Sequence, residues 1–149
     1  EGPKFLILYH GHGYWNFPKG KIESEERSFE AAIRETREET GLTAKDLRII
    51  RNFKTSEQFT FRRRGKSVFK IVIFYLAETT EPRVRISKEH QGYAWFLYRE
   101  AARILGQYRD SQKVLKNAYD FLQKKGYRGR EANPARPSAH LPGGGEARR

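Results

Sequence analysis

Cysteine and methionine are both absent from this chain of 149 residues. Without cysteine, the chain can form no disulfide framework and carry out no thiol chemistry. It has no run of about 18 apolar residues, which excludes a transmembrane helix. No secretory apolar segment is visible either. We therefore expect one cytoplasmic domain of ordinary size, with no membrane contact.

The start of the chain also lacks methionine. It opens on Glu1 and enters an apolar stretch at Phe5, so we expect that residues preceding Glu1 are not represented. Residues 5–9 are predicted to form a buried strand because they are continuously apolar. Residues 10–13 read His-Gly-His-Gly. We interpret them as a loop rather than a metal site, because paired glycines mark a turn and no third ligand lies nearby.

Charge is spread unevenly along the chain. The formal net charge is +12, yet residues 20–42 are acidic, with more glutamates than lysines and arginines. An acidic pocket in a basic surround suits a polyphosphate substrate, because a cation neutralises the carboxylates while the surround attracts the anion. The same field attracts nucleic acid. Charge alone therefore does not separate a nucleotide from an RNA substrate.

The acidic segment contains three glutamates at helical spacing, Glu35, Glu38 and Glu39. On a helix these carboxylates share one face and repel each other unless a cation lies between them. Clustered hard oxygen ligands suit Mg²⁺ or Mn²⁺. A solvated charged face is the alternative. The neighbouring Arg34 and the glycines that bracket the segment favour a metal site.

The residues that flank these glutamates predict the bounds of the helix. Gly41 is placed as its left-handed C-terminal cap, and either Ser24 or Ser28 as its N-cap. Gly20 precedes the helix in a loop, where a residue without a side chain lets its carbonyl approach a metal or phosphate. The face predicted to pack on the core consists of apolar residues and one threonine: Phe29, Ala32, Ile33 and Thr36.

Further strands and helices follow along the chain, and their alternation predicts an α/β (α+β) fold. Residues 62–66 read Arg-Arg-Arg-Gly-Lys and predict a basic hairpin tip. The predicted strands are 47–53, 59–61, 68–77 (a central strand), 83–86 (an edge strand) and 93–98. The predicted helices are 99–105 and one that is capped by Asp110 or Ser111, continues through Lys125 and ends at Gly126.

The spacing Gly-x5-Glu-x7-Arg-Glu-x2-Glu-Glu-x-Gly over residues 20–41 resembles the Nudix box. Thr36 departs from the pattern at a position where an aliphatic residue is commonest. The surroundings are most similar to asymmetric diadenosine tetraphosphate hydrolases, and this likeness covers roughly residues 3–125. The stretches that carry it are 14–20, 72–78 and 89–95. The first of these stretches also resembles RNA 5′-pyrophosphohydrolases.

The resemblance implies an α/β/α sandwich with a mixed β-sheet between helices. It places the hydrolase domain at residues 1–126 and implies that the family's first strand is missing from it. Residues 127–149 are rich in Pro, Gly, Ala and Arg, and we expect them to form a basic disordered tail. The implied reaction is attack of water on a phosphorus of a nucleoside polyphosphate. For diadenosine tetraphosphate, ATP and AMP would be the products.

The resemblance also implies roles for individual residues. Metal ligands would be the carbonyl of Gly20 and the carboxylates of Glu35, Glu38, Glu39 and Glu89. Glu35 and Glu39 would also act in catalysis together with Arg34, which would orient the carboxylates. Lys19 and Lys70 would contact phosphates. Tyr14 and Tyr93 would hold a purine, although a tyrosine such as Tyr93 is more often a core residue.

Two alternatives remain open at this point. An RNA 5′-pyrophosphohydrolase or decapping-type enzyme would suit the net charge and the basic hairpin tip. A nucleotide- or RNA-binding module with weak activity is the second alternative. The repulsive glutamate cluster speaks against it, because a pure binder has no need to keep such a cluster. The oligomeric state does not follow from the sequence.

Overall fold

A computed structural model describes residues 2–19, residues 27–126 and the backbone of residues 139–140. Gly20, Ser24 and nearly all of the predicted tail lie outside the described residues. The elements, in chain order, are β1 (Lys4–Gly11), β2 (Tyr14–Asn16), α1 (Ser28–Thr40), β3 (Arg48–Ile49), β4 (Thr55–Arg63), β5 (Lys66–Phe74), β6 (Ala77–Glu78), β7 (Gly92–Leu97), α2 (Tyr98–Leu105), α3 (Arg109–Lys124) and β8 (Ala139–His140).

The strands form antiparallel pairs. One sheet has the order β2-β1-β7-β8, while β3 pairs with β6 and β4 pairs with β5. In the first sheet Lys4 pairs with Leu97 and Tyr9 with Gly92. The α/β class is confirmed, and the expected mixed sheet is divided, over the described part of the chain, into three antiparallel sheets.

The core lies where α2 and α3 pack on β1. The side chains of Ile7, Leu105 and Leu115 are almost completely buried there. Alternation along β1 directs every second side chain to the same face, so Phe5 and Ile7 enter this core together. Both helices match their predictions closely. At the start of α3, however, the N-cap is Tyr108, not Asp110 or Ser111.

Helix α1 ends as predicted and begins differently. Gly41 follows it with φ 78°, and its N–H donates to the carbonyl of Arg37. At the other end Arg27 is the N-cap, and its N–H donates to Glu30 Oε1 at 3.0 Å. Ser28 is therefore the first helical residue rather than the cap. The predicted apolar face lines a cavity of about 270 Å³. Its residues Ala32, Ile33 and Thr36 are therefore only partly buried, and Phe29 is 39% exposed.

Three strand predictions need correction. Of the predicted strand 47–53, only Arg48–Ile49 (β3) is a strand. The predicted central strand 68–77 is divided into β5 and β6, and β5 pairs only with β4 among the described strands. Two of its side chains, Phe69 and Ile71, are consequently 61% and 47% exposed. Residues 83–86 form no strand. Instead, the N–H of Arg85 donates to the carbonyl of Thr40, at the end of α1. Among the described helices, none is long and apolar enough to cross a membrane.

Candidate active site

Two glutamates of α1 contact one arginine of the same helix. Arg34 Nη1 lies 2.6 Å from Glu35 Oε1 and 3.0 Å from Glu38 Oε1. The second contact joins residues four apart on the helix, which are neighbours on its surface. Arg34 therefore offsets the repulsion between two of the three clustered carboxylates and fixes their orientation.

Glu39 is the most strongly perturbed member of the cluster. Its pKa is raised to about 7. Burial is the main cause, the neighbouring carboxylates of Glu35, Glu89 and Glu38 contribute to the rise, and a hydrogen bond from the Lys19 backbone opposes it. That bond joins Lys19 N–H to Glu39 Oε1 at 3.0 Å. Three other carboxylates thus lie close enough to Glu39 to disfavour its charge.

Glu35 has a raised pKa for related reasons. Burial is the main cause, the hydrogen bond with Glu38 adds to it, and Arg34 opposes both. Glu35 also lines a small cavity of about 90 Å³, together with Lys19 and Val72. The cavity is lined by α1, by the segment that precedes it and by β5.

Glu89 lies in the turn before β7 and is exposed. The structure brings it within electrostatic reach of Glu39, although 50 residues separate them in sequence.

The adjacent His90 is buried, and its Nδ1 lies 2.9 Å from Ser87 Oγ. The ring of His10 is 4.5 Å from that of His90, and burial lowers the pKa of both histidines. His10 Nε2 is a buried atom with no hydrogen-bond partner among the described residues.

Sequence reasoning missed one residue next to the site, Glu57. Its carboxylate is 5% exposed, and its Oε1 lies 2.7 Å from Lys19 Nζ. The pair joins β4 to the segment before α1. Alternation along β4 gave a signal, because Glu57 falls on the same strand face as Phe59 and Phe61. A charged residue at an inward position needs a partner of opposite charge.

Lys70 lies on the same hairpin as Glu57. It pairs with Phe59 across the two strands, and its Nζ is 5.7 Å from the centre of the Phe59 ring. Cross-strand partners project from the same face of a hairpin. Lys70 is therefore on the same face of the hairpin as Glu57. The carboxylate of Glu57 contacts Lys19 from that face.

The two predicted purine-binding tyrosines lie in different surroundings. Tyr14 is half-buried, with its ring 4.9 Å from that of His10 and 5.0 Å from that of Tyr108. Its hydroxyl accepts a hydrogen bond from Asn16 Nδ2 at 2.6 Å. Tyr93, in contrast, is 4% exposed and pairs with Leu8 in the first sheet. Tyr14 can therefore present a ring to a ligand, while Tyr93 is a core residue in this arrangement.

The donor chemistry of the cluster fits a divalent cation. Its side chains offer hard carboxylate oxygens. Burial is the main cause of the raised pKa of Glu39, and the negative charges of Glu35, Glu89 and Glu38, which a cation would relieve, add to it. Within residues 2–19 and 27–126, no three acidic or histidine side chains converge at metal-binding distances. The predicted ligand Gly20 lies outside those ranges.

Known proteins resemble this chain over most of its length. The asymmetrical bis(5′-nucleosyl)-tetraphosphatase of Mus musculus is 37% identical over 123 residues, which are 80% of each chain. The crystal structure of a C. elegans Ap4A hydrolase binary complex superposes with a TM-score of 0.69 and 31% identity, covering 81% of this chain and 87% of that one.

A third relative is similar over a shorter part of the chain. The mRNA-decapping protein g5R of African swine fever virus is 32% identical over 80 residues, 52% of this chain and 31% of its own. The NUDIX domain matches residues 4–118, a range that contains the arginine and glutamates described above. On this match and the likenesses that cover 80% or more of both chains, the chain belongs to the Nudix family of hydrolases.

Proposed function

We propose that this protein hydrolyses diadenosine tetraphosphate to ATP and AMP with Mg²⁺ or Mn²⁺. The observation that carries the proposal is the glutamate cluster of α1, in which Arg34 contacts Glu35 and Glu38 and the backbone of Lys19 contacts Glu39. A crowded acidic site next to cationic side chains suits a polyphosphate that arrives with metal ions. The names of the two relatives that match over 80% or more of both chains support this choice of substrate.

The carboxylates of Glu35, Glu38, Glu39 and Glu89 and the carbonyl of Gly20 are the proposed metal ligands. When bound there, a divalent cation neutralises phosphate charge and lowers the pKa of a water molecule. Arg34 holds two of these carboxylates in place through its short contacts. Its removal should therefore disturb the site even though Arg34 itself binds no metal.

Glu35 is the proposed proton acceptor for the attacking water, and Glu39 is the second candidate. Burial is the main cause of a raised pKa at Glu35, and the pKa of Glu39 is raised to about 7. A carboxylate whose pKa approaches the working pH is a better base than an ordinary one. Arg34 lies 2.6 Å from Glu35 Oε1, so the second oxygen of that carboxylate is the one that we assign to the proton.

Substrate contacts are proposed for Lys19, Lys70 and Tyr14. Lys19 and Lys70 are on elements that meet at Glu57, and both would meet phosphate oxygens. Tyr14 offers an aromatic ring for a purine, and the neighbouring Tyr108 ring lies 5.0 Å away at 73°. Tyr93 was the other predicted purine contact. Its burial favours a structural role.

A substrate panel tests the proposal. Purified protein with Mg²⁺ is given diadenosine tetraphosphate, ADP-ribose, a nucleoside triphosphate or 5′-triphosphorylated RNA, and kcat/KM is measured for each. We expect the largest value for diadenosine tetraphosphate. A larger value for any other member of the panel would overturn the assignment.

The RNA 5′-pyrophosphohydrolase alternative has one specific observation in its favour. Residues 62–66 form an exposed basic tip at the outer end of the β4–β5 hairpin, and basic tips attract RNA. The partial likeness to a viral mRNA-decapping protein agrees with it. If this alternative holds, neutralising Arg62, Arg63 and Arg64 should weaken cleavage of triphosphorylated RNA and leave dinucleotide cleavage nearly unchanged.

A further inference from the structure

The β4–β5 hairpin extends away from the rest of the molecule. At its base, Glu57 pairs with Lys19, and Thr55 Oγ1 accepts a hydrogen bond from Asn117 Nδ2 at 3.0 Å. Beyond Phe59 its residues are mostly exposed. Phe61 is 39% exposed and Phe69 61% exposed. The outer half of the hairpin is therefore a two-stranded ribbon that offers both faces to solvent.

One face of this ribbon leads away from the candidate active site. The strand pairing and the alternation of side chains put Glu57 on the same face as six residues farther out. We call these six residues the hairpin track; they are Phe59, Phe61, Arg63, Lys66, Val68 and Lys70. At about 3.3 Å per residue, the track extends roughly 20 Å outward from Glu57.

The hairpin carries a strong excess of positive charge. It contains five lysines and arginines and a single carboxylate, Glu57, which is already paired with Lys19. Among the described residues, no carboxylate forms an ion pair with Arg63, Arg64 or Lys66. Arg62 differs, since its Nη2 donates to the carbonyl of Gly65 at 2.7 Å. Cations without partners at an exposed tip attract polyanions.

Aromatic side chains accompany these cations. The Phe59 and Phe61 rings are 6.3 Å apart with an angle of 34° between their planes, and Phe61 is partly exposed. Proteins that bind single strands combine a cationic path for the backbone with aromatic rings on which bases stack. A duplex offers no free base face to Phe61, and free phosphate would leave the ring without a partner.

We propose that the hairpin track is a binding surface for single-stranded nucleic acid. Phe61 stacks on a base, while Arg63 and Lys66 contact backbone phosphates. This function goes beyond the hydrolysis proposed above and does not depend on it, because binding can be measured without turnover. The opposite face of the ribbon, which carries Phe69, supplies a matched control.

The test uses the full chain in EDTA, where hydrolysis does not interfere. Fluorescence anisotropy measures the Kd for a labelled 12-nucleotide RNA with a 5′-hydroxyl, for DNA of the same sequence, for a duplex, and for phosphatidylserine vesicles. Phe61→Ala is compared with Phe69→Ala. Arg63→Ala/Lys66→Ala is compared with Lys45→Ala/Lys113→Ala, which removes two exposed cations outside the hairpin. Thermal denaturation checks that each variant is folded.

We expect Phe61→Ala to weaken single-strand binding by about five-fold or more, the effect of losing one stacked base. The Phe69→Ala variant should bind as the wild type does. Removal of Arg63 and Lys66 should flatten the slope of log Kd against log salt by roughly 1.4, since each phosphate contact on a single strand contributes about 0.7. The Lys45→Ala/Lys113→Ala control should leave the slope unchanged.

Several outcomes would overturn the assignment. These are no binding by the wild type, tighter binding of the duplex or of vesicles than of single strands, or equal losses in the track variants and their controls. Equal binding of RNA and DNA supports it, because stacking and phosphate contacts are common to both. Preference for RNA also supports it and adds a contact to the ribose hydroxyl.

Discussion

The backbone N–H of Lys19 donates to Glu39 Oε1 at 3.0 Å. This hydrogen bond connects the segment before α1 to a glutamate near the end of that helix. The side chain of the same lysine reaches the buried carboxylate of Glu57 on β4. Lys19 thus connects the acidic helix to the hairpin. The ammonium group of Lys19 is therefore already paired with Glu57 before any phosphate binds.

Replacing Lys19 should reduce stability because Glu57 would then be a buried charge without a partner. Breaking a fully buried pair costs about 3–5 kcal/mol. Lys19 is 26% exposed, so we expect Lys19→Ala to lower the free energy of unfolding by roughly 1–3 kcal/mol. The double variant Lys19→Ala/Glu57→Gln should regain much of the loss. Urea denaturation measures this cycle, and additive losses would contradict a direct pair.

Catalysis should depend on the glutamate cluster more than folding does. We expect Glu38→Gln and Glu39→Gln each to lower kcat by orders of magnitude at saturating Mg²⁺. The melting temperature in EDTA should stay the same or rise, because a repelling charge is gone. Glu30→Gln is the control on the same helix, since its amide oxygen can still accept from Arg27 N–H. Near wild-type turnover in both cluster variants would exclude them as metal ligands.

The titration of Glu39 should make metal-free stability depend on pH. Its pKa is raised from 4.5 to about 7 on folding, so the folded state binds the proton more tightly than the unfolded state. The resulting stability is fully present below pH 4.5 and is lost as the pH rises through about 7. In EDTA, the melting temperature of Glu39→Gln minus that of the wild type should therefore increase as the pH is raised from 5 to 8.

The same carboxyl should make metal binding depend on pH. Protons compete with Mg²⁺ for Glu39 below its pKa. The rise in melting temperature that Mg²⁺ produces should then be larger at pH 8 than at pH 6. Glu39→Gln should show a small Mg²⁺ effect that hardly changes with pH. An equal Mg²⁺ effect on the wild type at both pH values would argue against Glu39 as a ligand.

The two tyrosines should respond differently to substitution. Tyr14→Ala should raise KM for diadenosine tetraphosphate, to an extent consistent with losing a stacking contact of ~1–3 kcal/mol. Tyr93→Ala should chiefly lower the melting temperature, because its side chain is buried in the first sheet. If the stable Tyr14 variant keeps its KM while a folded Tyr93 variant loses affinity, the purine lies on Tyr93 after all.

Local patterns predicted much of the secondary structure. The left-handed cap at Gly41 and the basic turn between β4 and β5 follow from short-range residue preferences, and the structure contains both. The prediction of an edge strand at residues 83–86 was wrong, because the backbone of Arg85 bonds to Thr40 instead of to a neighbouring strand. Such a contact depends on how the chain packs. No local pattern indicates it.

In the candidate site, too, local patterns predict some features, while others depend on how distant parts of the chain pack. The spacing of Glu35, Glu38 and Glu39 predicts a shared helix face, because helical geometry alone decides it. The pair of Lys19 and Glu57 spans 38 residues, and no pattern in a single sequence indicates which distant residues meet. For Tyr93 the sequence left both a purine contact and a core role open, because its burial depends on the neighbours of β7 rather than on the strand itself.

The central claim is asymmetric hydrolysis of diadenosine tetraphosphate, and product analysis tests it most directly. Purified protein is incubated with this substrate and Mg²⁺, and samples from a time course are separated by anion-exchange chromatography. We predict equal amounts of ATP and AMP from the earliest time points, with neither formed when Glu39→Gln replaces the wild type. Formation of ADP as the sole product, or no hydrolysis by the folded wild type, would contradict the account.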